Sequence, residues 1–212
     1  MPVDPSYLES CLKAFAPLQW ATPYLASPDW EIHQRDRGND SVEDQIDRHC
    51  RVTLQCEEGI SHWLELVQKP TAGTTNVLKT VSIVKYGEAL NGFPGILHGG
   101  AVAALMDEAL GFAMVASETA LYGGFGTLPK NWKKLLAEGK LTTEILKGNM
   151  VTAKLEIKFL RAVPCPGVVG IEVDILECKG HMMKVRGMMK DENGAPLVQA
   201  DGLWVRIGGA RL

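Results

Sequence analysis

From residue 91 to residue 108 the chain reads Asn-Gly-Phe-Pro-Gly-Ile-Leu-His-Gly-Gly-Ala-Val-Ala-Ala-Leu-Met-Asp-Glu. The dipeptides Asn91-Gly92 and Pro94-Gly95 are turn signals, and the apolar run behind Gly99 and Gly100 predicts a helix from Gly99 to Ser117. A helix that opens on paired glycines offers unbonded N–H groups at its positive end. With no Cβ in the way, a ligand oxygen reaches those amides closely, as an oxyanion site requires. The same glycines also read as nothing more than a tight helix entry.

Asp107 and Glu108 fall inside that apolar run. A carboxylate there must be paired, protonated or functional, because uncompensated burial costs several kcal/mol. Asp107 shares its helix face with Ala103, Ala104, Leu110 and Gly111, mostly small residues that let another group approach. Glu108, one step round the helix, is the second candidate for the reactive or substrate-binding carboxylate. The run is apolar enough for a membrane span, but each charge at a bilayer centre costs about 3 kcal/mol, so a buried helix and no membrane span are expected. His98 and Asp107 are nine residues apart, about 900° of rotation and roughly 13 Å of axis. One helix therefore does not present its opening amides and its own aspartate to one atom. If both serve one reaction, the aspartate comes from a second subunit, which predicts a symmetric homodimer with two composite sites.

The chain has 212 residues, a net charge of −3 and 46% hydrophobic residues. These values describe one globular domain with an appendage, and they argue against a nucleic-acid partner, which favours a basic surface. The five cysteines, Cys11, Cys50, Cys56, Cys165 and Cys178, show no Cys-x-x-Cys spacing, so neither a zinc site nor a disulfide framework is expected. The odd count and the acidic start of the chain lead to a cytoplasmic expectation.

Four regions follow. Residues 1–75 read as a helical and irregular N-terminal extension, with a short helix over Ser6–Phe15, a helix start at Ser27-Pro28, a solvated charged run from Gln34 to Arg51, and strand starts near Val52 and Trp63. Residues 76–212 read as the main domain, with a strand around Val77–Val84. Within it, residues 118–149 form an inserted helical segment whose Trp132, Leu135 and Leu136 keep helical spacing. That segment reads either as a lid over residues 122–139 or as a helix packed permanently on the sheet. Four β segments follow: Val151–Leu160, Val168–Cys178, Met182–Lys190 and Leu197–Ile207. Leu155, Ile157 and Phe159 alternate with Lys154, Glu156 and Lys158, and short turns make antiparallel neighbours the simplest pairing. The order implies an α+β fold, an antiparallel sheet wrapped around one long central helix with a helical N-terminal extension.

His98-Gly99-Gly100, an aspartate nine positions after the histidine, one buried helix and a C-terminal meander together resemble the hotdog-fold acyl thioesterase superfamily. The nearest branch is that of the phenylacetate-pathway and human thioesterase-superfamily enzymes. The resemblance spans about 76–208 without the 118–149 stretch. It implies hydrolysis of an acyl thioester of coenzyme A or an acyl-carrier protein by a homodimer or dimer of dimers. In that reaction the Gly99 amide polarises the carbonyl, and Asp107 of the partner subunit acts as base or nucleophile. A Ser or Thr on the next strand assists, a role that maps to Thr152, which reads equally as an ordinary strand residue. The family often carries Asn or Gln six residues before the histidine. Here that position is Gly92, with Asn91 one step earlier. His98 fixes the loop or acts directly, and Gly100 lies beside the substrate. No metal or separate cofactor is implied, since coenzyme A or phosphopantetheine arrives with the substrate. Lys158, Arg161, Lys184 and Arg186 are candidates for its phosphates and equally ordinary solvated strand residues. The alternatives are a hotdog enoyl-thioester hydratase or dehydratase, and a non-catalytic acyl-thioester-binding accessory protein.

Overall fold

Helix α3 runs from Gly99 to Ala120, and one seven-stranded antiparallel sheet curls around it. The computed structural model describes residues 3–35, 47–70, 74, 76–121, 123–125, 135 and 149–207. The strands are β1 (Trp30–Gln34), β2 (Ile60–Gln68), β3 (Lys79–Tyr86), β6 (Asn149–Phe159), β7 (Gly167–Lys179), β8 (Met182–Lys190) and β9 (Pro196–Ile207), in the order β1-β2-β3-β7-β8-β9-β6. A small hairpin of β4 (Asn91–Phe93) and β5 (Ile96–Leu97) leads into α3. Its turn closes at Gly95, where φ is +76°, a conformation that favours glycine.

The core fills the concave side. Val102, Leu105, Met106, Ala109, Leu110 and Ala113 of α3 pack with Trp63, Val84, Ile171, Val185, Ala200 and Trp204 of the strands. Two glycines set how close the helix lies. A Cβ at Gly187 would come within 2.8 Å of Leu110 Cδ1, and one at Gly202 within 3.0 Å of Leu110 Cδ2. Strand glycine of this kind marks close approach. α3 has the length and apolarity of a membrane-crossing helix, and its apolar face is spent on the sheet.

The first 75 residues do more than the sequence reading expects. Helix α1 (Pro5–Ala14) is capped by Asp4, whose Oδ1 accepts from the Ser6 and Tyr7 amides at 2.9 and 3.1 Å. α1 and the short α2 (Thr22–Ala26) cover the convex face, where Cys11, Phe15, Leu18 and Ala21 meet Leu64, Leu66, Val81 and Ile83. The same residues 1–75 supply β1 and β2 to the sheet. Ser27-Pro28 precedes a strand rather than a helix, because Trp30 and Ile32 pack into the convex cluster. The strand expected near Val52 is instead a π-helical turn, His49–Leu54, closed by the Gln55 N–H donating to Cys50 O at 3.2 Å.

The four C-terminal strands fall within a residue or two of their expected bounds. One expected neighbour pair differs: β6 pairs with β9, and β7 with β3. The link between them is no hairpin because residues 160–165 cross the sheet end. There Leu97 N–H donates to Val163 O at 2.9 Å, and Leu160 N–H to Leu197 O at 2.9 Å. Of the 118–149 insertion, α3 takes up the start as far as Ala120, while Trp132 and most of the expected lid lie outside the described residues.

Candidate active site

His98 caps α3. Its Nδ1 accepts the Gly100 N–H at 2.9 Å, and its carbonyl accepts from Val102 at 2.9 Å. The ring folds so tightly over the helix start that a Cβ at Gly100 would lie 3.0 Å from Nδ1. Gly92 makes the matching space on the hairpin side, where a Cβ would lie 2.9 Å from His98 Cα. Glycine at position 92 thus fits the close approach of the hairpin to His98. Asn91 is exposed and lines a cleft of about 500 Å³ with Glu88, Phe93, Cys165 and Pro166.

Capping takes the Gly100 amide and leaves the Gly99 amide uncommitted. Among the described residues the Gly99 N–H has no acceptor, and it sits at the positive end of the longest helix. The nearest side-chain atom to a Cβ built there is Phe159 Cζ at 3.9 Å. A half-exposed apolar ring thus lies near the helix start.

Asp107 is half-buried two turns further on. The Thr152 hydroxyl of β6 donates to Asp107 Oδ1 at 3.0 Å. A register shift between Thr152 and Lys154 displaces β6 locally, and the bulged strand aims Thr152 at the helix. Oδ2 of Asp107 has no partner among the described residues. Gly99 and Asp107 of one chain remain about 12 Å apart along the α3 axis, so a single protomer does not bring the amide and the carboxylate together.

Glu108 points elsewhere. It forms an ion pair with Arg35 at the end of β1. Arg35 also reaches Glu65 at 3.3 Å and Asp47 at 3.5 Å, and its guanidinium lies 4.8 Å from the Trp63 ring centre. The Gln34–Arg51 run was expected to be a solvated face, yet the Arg35 side chain is 11% exposed. Ligand atoms of Asp47, Cys50 and Glu108 lie within 4.8 Å of one another, and Arg35 already supplies positive charge to both carboxylates. Sequence reasoning missed this cluster, since the single arginine carries no motif.

The basic candidates separate. Lys158, Lys184 and Arg186 lie on the convex face, opposite α3. Lys158 is across from Gln199, Lys184 donates to Glu177 and Arg186 to Asp201, each of these two at 2.6 Å. Arg161 is exposed, two residues beyond Phe159, with its amide on Leu197 O at 3.1 Å.

Residues 94–198 match the family model described as the thioesterase superfamily. This domain belongs to the thioesterase superfamily. Its sheet wrapped on one long helix is the hotdog fold. The match takes in the Gly99 helix start, Asp107 and Thr152 of the thioesterase-superfamily domain and leaves out the Arg35 segment. Similar solved structures include RHA08564, a thioesterase superfamily protein, at 21% identity over 66% of this chain and 53% of that one, with a TM-score of 0.43. This chain thus spans about half the length of that protein. A hypothetical thioesterase of Streptococcus pneumoniae TIGR4, solved with coenzyme A, is 14% identical over 68% of this chain and 89% of its own, with a TM-score of 0.46. The E. coli PaaI protein from the phenylacetic acid degradation operon is 14% identical over 62% and 75%, with a TM-score of 0.44. No curated protein matches the sequence.

Proposed function

We propose that the protein hydrolyses an acyl thioester of coenzyme A or a carrier protein, as a homodimer with two composite sites. The observation that carries this reading is the Asp107 carboxylate held by Thr152 at 3.0 Å, its second oxygen unengaged among the described residues, on a thioesterase-superfamily helix whose Gly99 N–H has no acceptor among them. Since the two groups are far apart in one chain, the partner's copy of the aspartate completes each site. The outer edge of β6, with Val151 and Phe159 36% and 54% exposed beside it, is the surface offered to that second copy.

The thioester carbonyl oxygen takes the Gly99 N–H. Asp107 of the partner subunit draws a proton from water as the resulting hydroxide adds to the carbonyl carbon. The C–S bond then breaks, the proton returns to the leaving thiolate, and a carboxylic acid and a free thiol result. Direct attack by Asp107 on the same carbon, followed by hydrolysis of the anhydride, uses the same geometry. Arg161 is the remaining basic candidate at the mouth, where an incoming phosphate would pass.

The test is thiol release from a panel of acyl-CoAs, with Asp107→Asn alongside and solution mass measured for both. The expected result is thiol from the wild type and a loss of about 10²–10⁴-fold in the variant at unchanged dimer mass. A change in enoyl absorbance without thiol would replace hydrolysis with hydration. Stabilisation by acyl-CoA without turnover would make the protein a binder.

A further inference from the structure

The pairing of Arg35 with Glu108 has a bearing on Asp107. We propose that Arg35 is a positioning residue for thioester hydrolysis: it holds Glu108 away from Asp107 and cancels the second negative charge on that turn of α3. This rests on the reading of Asp107 as the reacting carboxylate.

Asp107 and Glu108 are consecutive, and 100° of helical rotation leaves their carboxylates as neighbours at the same height. A second free carboxylate there would oppose both an ionised Asp107 and the oxyanion that forms on the carbonyl. Glu108 is 24% exposed and bound to Arg35, so its charge is met at short range. Arg35 is itself built in. Glu65, 1% exposed on β2, holds it from below and in turn accepts from the Ser82 hydroxyl of β3. Asp47, two residues before the π-helical turn, reaches it at 3.5 Å, Cys50 of that turn lies beside Asp47 and Glu108, and Trp63 lies under its plane. His33, two residues back on β1 and across from Glu65, also faces this cluster, and Arg48 and Arg51 lie beside and within the π-helical turn.

A tether between β1 and α3 does not account for this composition. Burying a guanidinium among three carboxylates costs desolvation that an apolar contact of the same size avoids, and such clusters are poor stabilisers. Placing that expense one residue from Asp107 is explained by what the charge does there. It also distinguishes two adjacent carboxylates with similar chemistry: Glu108 is clamped, and Asp107 has, among the described residues, one oxygen without a partner.

The experiment measures thiol release against pH on one acyl-CoA for the wild type, Arg35→Gln and the double variant Arg35→Gln/Glu108→Gln, with mass and circular dichroism confirming each fold. Arg35→Gln is expected to move the acid limb of the kcat/KM profile upward by about one pH unit. The double variant, which removes the uncompensated charge as well, is expected to return the limb to its wild-type position. An unmoved limb in Arg35→Gln overturns the proposal, and so does a moved limb that the double variant leaves in place, the result of a mere tether. Should Arg35→Gln not fold, Arg35→Lys replaces it: a wild-type limb with reduced kcat agrees, and a limb raised by as much as one unit overturns. Loss of the underlying reading shows separately, as wild-type thiol release from Asp107→Asn.

Discussion

The hydroxyl of Thr152 on β6 points across to α3 and donates to Asp107 Oδ1 at 3.0 Å. The bond fixes the rotamer of a carboxylate whose other oxygen has no partner among the described residues, and it ties the helix to the strand that forms the sheet edge. Thr152→Val keeps the shape and removes the donor. It is expected to lower kcat about 10-fold with little change in KM, and Thr152→Ser should recover most of that loss in the same assay.

The paired glycines of the helix start have different duties. At Gly100 a Cβ would lie 3.0 Å from His98 Nδ1, whereas at Gly99 the nearest atom is Phe159 Cζ at 3.9 Å. Gly100→Ala should displace the capping ring and cost about 1 kcal/mol of stability, and Gly99→Ala should leave the melting temperature close to that of the wild type. Thermal unfolding of the two variants side by side checks this.

Two buried groups on facing strands oppose each other in pH. Burial pushes Glu65 up to about 7, so the folded chain binds more protons than the unfolded one from about 4.5 upward, and this group's contribution falls as pH rises to 7. Burial lowers His33 to about 4, so its contribution is lost as pH falls from about 6.5 to 4. In the wild type the slopes largely cancel. His33→Phe, which keeps the contacts with Phe112 and Phe125, should leave a melting temperature that falls by about 5 °C between pH 4.5 and 7. Glu65→Gln should leave one that rises over the range of His33.

Much of the architecture is legible from local pattern. The strands β6 to β9 show themselves through alternation and through glycine turns such as Gly180 and Gly194, whose φ values are +59° and +79°. α3 shows itself through its apolar run. What escapes is decided by distant partners. β6 joins β9 because residues 160–165 cross the sheet end, and Arg35 is buried because Glu65, Glu108 and Trp63 converge on it from β2 and α3. No window of sequence contains those meetings. Of the expected site residues, Asp107 with Thr152 and His98 with Gly100 come together as bonded pairs, while Lys158 goes to the opposite face because the alternation that buries Ile157 sends it outward.

The convex face carries its own expectation. Leu18 is fully buried between α1 and α2 and packs with the convex cluster that includes Leu64, Leu66, Val81 and Ile83. Leu18→Asp should unseat these helices and uncover an apolar patch. Light scattering should then report species larger than those of the wild type, with circular dichroism confirming that the sheet persists.

A histidine that occupies one of two neighbouring amides limits what the opening of α3 is able to receive. A carbonyl directs a single acceptor oxygen and needs only a single donor such as the Gly99 N–H. Phosphates and carboxylates, which share their charge among several oxygens, gain their advantage from a fan of donors, and the ring of His98 already holds the Gly100 member of this one. On the proposed reading, the cap thus reserves the Gly99 N–H beside Phe159 for the oxygen of a neutral acyl group.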